Sequence, residues 1–401
     1  MKILIVSQYF YPENFRINDL AFELKKRDHQ VSVLTGTPNY PGGSFFKGYG
    51  FFKKNFDIIN GVKIYRSPLV PRMSGSNFKL SINYISFIFG AIIRSLFIIK
   101  NKYDIIFVFE PSPITVCLPA IFIKKIKKIP ICFWVLDLWP ESVVSAGNLK
   151  SKLIPKVLNP IVRYIYKKSD KILVSSNGFK KSIVSKGIDA NKIEFFPQWA
   201  EDIFKPKVKM KMKNFPKDAF IVMFAGNIGE AQDFPSILNA AIILKDNKNI
   251  HWVIIGSGRK EKWVKNKIIE YGLESCFHLM GRHPIEKMPK LYSYADCMLF
   301  SLKNEYIFSI TIPAKVQTYL ACAKPVVAMI NGEAASLIEE TKSGLVSPSE
   351  NPELLAKNIK KLSLISKNDL NDIGKNSYKC YEKYFERTML ISKLEIIFKS
   401  L

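Results

Sequence analysis

The run Thr311-Ile-Pro-Ala-Lys-Val-Gln-Thr-Tyr-Leu-Ala321 predicts a helix that opens with a lysine. Pro313 suits the start of that helix, where its missing N–H is not needed, so Lys315 falls in the first turn. A cation there opposes the helix dipole. It is better placed if it meets an anion, because a helix N-terminus with free N–H groups is already a phosphate-type site. The plainer alternative is a solvated surface lysine. Two glycine turns bear on the choice. Gly226-Asn-Ile-Gly229 follows the apolar run Phe220–Ala225, and Ile255-Gly-Ser-Gly-Arg259 ends another with a cation just beyond it. Glycines after a strand let backbone N–H groups approach an anion. Each turn alone is a weak signal. Two turns with Lys315 and Arg259 point to a nucleotide-diphosphate site that needs no metal.

A second group of candidates is acidic. Asp137-Leu-Trp-Pro-Glu-Ser142 follows the apolar run from Ile131 to Leu136. Two carboxylates at a strand's carboxyl end, Asp137 and Glu141, could supply a general base or orient a sugar hydroxyl. An N-cap or Asx-turn is the structural alternative for Asp137. Glu110-Pro-Ser-Pro113 and Glu13-Asn-Phe-Arg16 follow neighbouring strands and would face the same cleft.

The elements that position these residues alternate strand and helix. Strands are expected near Lys2–Ser7, Val31–Leu34, Val62–Tyr65, Asp104–Phe109, Ile131–Leu136 and Lys171–Ser175. The stretch from Glu201 to Lys217 breaks the pattern, with prolines at 206 and 216 and lysine at every second position from 205 to 213. A second alternation follows, with strands near Phe220–Ala225, His251–Ile255, Phe277–Met280, Cys297–Phe300 and Pro325–Ala328. A long amphipathic helix is expected from about Asn371 to Phe398. The 401 residues therefore read as α/β, two doubly wound Rossmann-like domains facing across a cleft. The predicted divisions are an N-terminal domain over 1–200, a linker over 201–217, a C-terminal domain over 218–375 and a helix over 376–401. No GxGxxG follows the first strand, and no GxxxxGK[ST] occurs. Dinucleotide and P-loop readings therefore fail. No D-x-D follows a strand end, so no metal or cofactor is expected.

The formal charge of +26 calls for an anionic partner. The six cysteines are scattered without C-x-x-C spacing, as buried thiols of a reducing cytoplasm would be. The short apolar run at the N-terminus reads as a first strand and not a signal peptide. The segment Phe78–Lys102 is long enough to span a bilayer, but Asn83 and Arg94 make a crossing costly. An in-plane helix on an anionic inner leaflet fits better, and Ile114–Ile123 with its lysine-rich tail is a second candidate. The competing reading packs both as crossover helices on the first sheet. No nucleic-acid-binding module is evident, so no nucleic acid is expected as partner.

Four motifs carry a family resemblance: Gln8-Tyr-Phe-Tyr-Pro-Glu-Asn-Phe-Arg-Ile-Asn18, Pro38-Asn-Tyr-Pro-Gly-Gly43, Asp137-Leu-Trp-Pro-Glu-Ser142, and Ile312-Pro-Ala-Lys-Val-Gln-Thr-Tyr-Leu-Ala321 with Asn331-Gly-Glu333. On these the chain resembles family 4 glycosyltransferases of the GT-B fold, and within them the WbuB-type L-fucosamine (FucNAc) transferases of bacterial surface-polysaccharide assembly. The resemblance implies a UDP-sugar donor on the second domain and a polyprenyl-diphosphate-linked acceptor on the first. The helix over 376–401 would return to the N-terminal domain. It implies capsule or O-antigen repeat-unit assembly, and a cytoplasmic protein on the inner face of the plasma membrane. Gly226, Asn227, Gly229, Arg259, Lys315, Gln317 and Glu333 then become donor-binding candidates. Glu13, Asn14, Arg16, Asn39 and Glu110 become acceptor-binding candidates, and Asp137 and Glu141 catalytic ones. The chain departs from the family at several points. The arginine and lysine that usually hold the diphosphate are replaced by Asn227 and Gln232. The family's two glutamates fall at Ile310 and Thr318, and Leu136 stands about where its histidine is expected. Arg259 and Lys315 are the replacement cations, and Glu333 takes over a sugar-hydroxyl contact. The competing enzyme reading is a soluble UDP-hexosamine epimerase of the same fold.

Overall fold

The computed structural model of the chain describes residues 1–73, 76–146, 153–210, 215–216 and 218–401. Residues 211–214 and 217 of the expected linker lie outside the described residues. The chain forms two compact units, Met1–Phe196 with Ile391–Leu401, and Pro197–Leu390.

The first unit holds an eight-stranded sheet. Its strands are β1 (Lys2–Val6), β2 (Gln30–Gly36), β3 (Phe56–Ile59), β4 (Val62–Ser67), β5 (Ile105–Glu110), β6 (Ile131–Val135), β7 (Lys171–Val174) and β8 (Ile193–Phe195). Their order is β3-β4-β2-β1-β5-β6-β7-β8, parallel throughout except for the antiparallel β3–β4 edge. Strands β5 and β6 are buried along their whole length, as expected where helices cover both faces of a parallel sheet. Strand order reverses between β1 and β5, so the loops that leave their carboxyl ends flank the crevice where such sheets bind ligands.

The helix Asn77–Ile98 packs on this sheet through Asn83, Phe87, Ala91, Ser95 and Ile98, all buried. Gly90 lets it approach closely, because a Cβ there would overlap the Pro68 carbonyl oxygen. Asn83 is satisfied inside, accepting from Gln8 Nε2 at 2.7 Å and donating to the Val70 carbonyl at 2.5 Å. The opposite face leaves Phe78, Ile85, Phe89, Ile93, Leu96 and Phe97 exposed. By length and composition, residues 78–98 could cross a bilayer. Here one face of the helix is part of the unit's core. The other segment singled out, Ile114–Ile123, forms a 3-10 turn and the helix Cys117–Lys127, buried at Pro119, Ala120, Ile121 and Ile123.

The second unit holds a six-stranded parallel sheet. Its strands are β9 (Phe220–Ala225), β10 (Ile250–Ile255), β11 (Phe277–Leu279), β12 (Cys297–Ser301), β13 (Val326–Met329) and β14 (Gly344–Ser347). The order is β11-β10-β9-β12-β13-β14, with the reversal between β9 and β12. Its core includes Phe224, Phe234, Trp252, Leu299 and Val327. Each of these side chains contributes about 1.5–3 kcal/mol by leaving water.

Two features differ from the expected pattern. Strands β3, β8 and β14 had no counterpart in the reading of the sequence. They are three or four residues long and lie at or next to sheet edges, so their apolar runs are short and only partly buried. The single helix expected from Asn371 to Phe398 is two helices, Lys367–Tyr384 and Arg387–Lys399. Glu386 makes the break: its carboxylate accepts the backbone N–H groups of Thr388 and Met389 at 2.8 and 2.5 Å, capping a new helix. The end of that helix belongs to the first unit. Glu395 receives Arg27 Nη1 at 2.8 Å, and the Phe398 ring lies 5.4 Å from that of Phe107. All six cysteines are buried thiols.

Candidate active site

In the second unit, the loops at the strand reversal bring Lys315 against Gly226. The helix Ala314–Ala321 is fixed to the end of β9 by Tyr319, whose hydroxyl accepts the Ala225 N–H at 3.1 Å and donates to the Ala225 carbonyl at 3.0 Å. That anchor places the Lys315 ammonium 4.4 Å from the centroid of the Phe224 ring. A Cβ on Gly226, whose φ is +149°, would overlap this ammonium. Among the described residues no carboxylate lies within ion-pair distance of Lys315. Burial pushes it down to about 8. A half-buried cation held without a counter-ion at a helix N-terminus is a site prepared for an anion.

The glycines do a different job from the one their spacing suggested. Gly226 donates to the Ile255 carbonyl at 2.8 Å, Ile228 to Ser257 at 3.0 Å, and Gly256 to Gly281 at 2.8 Å. A Cβ on Gly256 would overlap the Gly226 carbonyl oxygen, and one on Gly258 the Ile228 carbonyl oxygen. These N–H groups therefore zip neighbouring loops together instead of standing open to a phosphate. Gly229 donates to Gln232 Oε1 at 3.2 Å, so the glutamine at the expected lysine position braces the loop. Asn227 is exposed beside Gly229. Arg259 is exposed on the adjacent loop. Gln317 is buried, and its Oε1 has no protein partner. Glu333 is half-buried at the start of the helix Glu333–Glu340. Sequence reasoning missed Glu230. It binds both Lys260 and Lys303, which ties the loops after β9, β10 and β12 together, and these lysines hold its carboxyl at about 2.

In the first unit, Asp137 stands just beyond β6. Trp139 Nε1 donates to its Oδ2 at 3.2 Å and to the Ser112 hydroxyl at 3.3 Å, which places Ser112 beside it. Burial outweighs these hydrogen bonds and raises its pKa. Glu110 is wholly buried at the end of β5, and its Oε2 accepts the Asp137 N–H at 3.2 Å. Burial, and then the charge of Asp137, push Glu110 well above the usual carboxylate range. The assignment of Glu110 to acceptor contact is therefore corrected. It is a buried carboxyl that braces the Asp137 backbone. Glu141 is corrected likewise: its Oε1 is held by Lys186 at 2.5 Å and Ser182 at 2.9 Å, an ion pair that leaves Asp137 as the candidate base.

Glu13 and Asn39 organise loops. Glu13 is buried and accepts the backbone N–H groups of Asn39 and Tyr40 at 2.8 and 2.7 Å, and that of Phe10 at 3.4 Å. Burial outweighs these bonds and raises it to about 7. Asn39 in turn accepts the Arg72 N–H at 3.0 Å. Both are corrected from acceptor contacts to loop braces. Asn14 is exposed, and Arg16 begins the helix Arg16–Lys26. A polar cluster that the sequence did not announce joins Arg72 to the Tyr9 hydroxyl at 2.7 Å, with Tyr84 beside Tyr9 and Ser112, and Ser112 next to Asp137. Tyr84 sits next to Asn83 on the helix singled out for its hydropathy. A polar residue every few positions within that apolar run was the available signal. No cluster of three or more metal-ligating side chains occurs among the described residues.

Comparison with known proteins accounts for both units. Residues 15–199 match the Glycosyltransferase Family 4 model, and residues 207–380 match Glycosyl transferases group 1. The chain is 29% identical over 254 residues to a probable glycosyltransferase, WbjE, of Pseudomonas aeruginosa; the match covers 60% of this chain and 62% of that protein, less than two thirds of its length. It is 23% identical over 411 residues to WcaI of Escherichia coli (strain K12), described as a putative colanic acid biosynthesis glycosyl transferase, covering 97% of this chain and 96% of that one. Among solved structures, HepE of Anabaena in complex with UDP and glucose superposes with a TM-score of 0.67 at 15% identity, over the whole of both chains. The chain is a glycosyltransferase of the GT-B fold. It joins a family 4 amino-terminal domain to a group 1 carboxyl-terminal domain, with relatives in polysaccharide biosynthesis. The epimerase alternative is not favoured, since these relatives are named as transferases.

Proposed function

We propose that the chain transfers an N-acetylated deoxyhexosamine, L-FucNAc in its most specific form, from a UDP-sugar to a polyprenyl-diphosphate-linked saccharide. The product would be a repeat-unit intermediate of capsule or O-antigen. The observation that carries the donor half is Lys315, a half-buried lysine without a carboxylate partner at a helix N-terminus, its ammonium against Phe224 and Gly226. Support comes from HepE, solved with UDP and with UDP-glucose.

In this reading the developing negative charge of the leaving diphosphate is stabilised by Lys315, with Arg259 on the neighbouring loop, in place of a metal. A charge fixed in a low-dielectric site stabilises the transition state more than the same charge in water. Asp137 accepts the proton of the attacking acceptor hydroxyl, or orients that hydroxyl. Its raised pKa moves it toward the range useful to a base near neutrality. Glu333 contacts a hydroxyl of the donor sugar. The protein works in the cytoplasm at the inner face of the plasma membrane, with the exposed apolar side of the helix Asn77–Ile98 against anionic lipid. The test is incubation with a panel of radiolabelled UDP-sugars and bacterial membrane extract, with and without EDTA. Label passing to lipid in both conditions supports the reading. Interconversion of free UDP-sugars without lipid labelling overturns it.

A further inference from the structure

The arginines of the first unit differ in what meets their charge. Arg27 pairs with Glu23 and Glu395. Arg66 is buried and donates to the Tyr11 carbonyl, and Arg94 donates to that of Asn55. Arg72 meets aromatic side chains instead. Its Nη1 donates to the Tyr9 hydroxyl at 2.7 Å, and its guanidinium lies 5.0 Å from the Tyr40 ring centroid and 5.8 Å from that of Tyr9. Among the described residues no carboxylate lies within 4 Å of it. It is half-buried, and the Tyr40 ring under it is 38% exposed.

The position of Arg72 is as informative as its charge. It follows β4 on the side of the sheet where β1 gives Tyr9, β2 gives Asn39 and β6 gives Asp137. These are carboxyl strand ends, the ligand edge of a doubly wound sheet. The Tyr84 phenol lies beside Tyr9 and Ser112 and feels the charges of Arg72 and Asp137, so the cation and the candidate base border one polar cluster. The backbone of Arg72 is tied to Asn39, and the ring of Tyr40 stacks on its guanidinium, which fixes the donor fork before any ligand arrives.

We infer that Arg72 is the residue that recognises a phosphate ester on the acceptor, with the acceptor's reacting hydroxyl directed toward Asp137. The inference rests on the proposed lipid-linked acceptor and adds to it the group that reads the phosphate. A planar guanidinium takes phosphate oxygens through two parallel N–H bonds, which an ammonium cannot copy.

The experiment uses the full chain saturated with UDP and two probes, farnesyl diphosphate and farnesol, with binding read by calorimetry. The wild type is expected to bind the diphosphate at least about tenfold more tightly than the alcohol. Arg72→Gln removes that preference, and Arg72→Lys keeps only part of it. An equal preference in wild type and Arg72→Gln overturns the inference. So does a variant that loses both probes alike, which would mark a structural role. Vesicles containing phosphatidylglycerol form the second arm. If Arg72→Gln loses vesicle binding but keeps its preference for farnesyl diphosphate, the phosphate belongs to a lipid headgroup and the acceptor assignment fails. UDP affinity, measured first in each variant, separates this outcome from failure of the donor reading. A wild type that does not bind UDP sinks the latter alone.

Discussion

Replacing Lys315 with methionine should make the protein more stable and less able to bind its donor. The side chain is of similar length, so the packing against Phe224 is kept while the charge is lost. Burial lowers the lysine from 10.5 to about 8. At roughly 1.4 kcal/mol per pH unit, holding this ammonium inside the folded protein costs about 3 kcal/mol. The sign follows from the depressed pKa. Below pH 8 the lysine is charged both folded and unfolded, so the full cost is present. Between pH 8 and about 10.5 the folded form gives up its proton first, and the cost fades. Lys315→Met should therefore raise the melting temperature of the second unit at pH 7 by roughly 6–12 °C, a gain that shrinks toward pH 10. A UDP phosphate that pairs with the ammonium supplies the missing counter-ion. Loss of that charge-assisted contact should weaken UDP binding by about 10- to 100-fold. In the wild type, UDP binding at pH 8.5–9 should take up a proton, seen as a calorimetric enthalpy that changes with the ionisation enthalpy of the buffer. Differential scanning calorimetry and UDP titration of both proteins at pH 7 and 9 test the chain of reasoning. An unchanged melting temperature together with unchanged UDP affinity would refute it.

Tyr319→Phe removes the two hydrogen bonds to Ala225 and leaves buried backbone groups unpaired. It should cost about 1–3 kcal/mol in denaturant unfolding and weaken UDP binding through displacement of Lys315. Gly226→Ala places a methyl on the Lys315 ammonium at a φ of +149°. It should destabilise by about 2 kcal/mol or more, and Lys315→Ala in the same chain should recover only the steric part. Asp137→Asn should lower kcat at least about 100-fold with UDP affinity unchanged, whereas Glu141→Gln should act mainly on stability by breaking the pair with Lys186. Phe89→Ser with Phe97→Ser removes exposed apolar surface that the core does not use. It should leave the melting temperature within about 2 °C and reduce flotation with anionic vesicles, and unchanged flotation would remove that helix face from the membrane proposal.

The long strands were legible because buried parallel strands are continuous apolar runs, and Lys315 because its place at a helix start is a local property. The short strands β3, β8 and β14 were not, since few residues and partial burial leave too little pattern. Glu386 did cap a helix visibly, yet the apolar period continues across it and hides the break. The misreadings at the site have one physical origin. The spacing of Gly226, Gly256 and Gly258 announces close backbone approach, but local sequence does not say whether a phosphate or another loop makes that approach; here another loop does. In the same way, a carboxylate after a strand reads alike whether it meets ligand, as Asp137 is placed to do, or a lysine on another helix, as Glu141 does with Lys186. Tyr9, Arg72 and Tyr84 are far apart in sequence, and only the fold makes them neighbours.

The last helix has a consequence for how the chain is made. Residues 391–401 complete the first unit, through Glu395 on Arg27 and His29, Lys393 on Glu194 and Phe398 against Phe107. The second unit is thus an insertion in the first, and the polypeptide passes between them twice. During translation the second unit has all its residues before the first has its final helix. The amino-terminal sheet must wait, with the face that receives Phe398 uncovered, until residues 391–401 have left the ribosome. Removing residues 391–401 would therefore be felt in the domain made first.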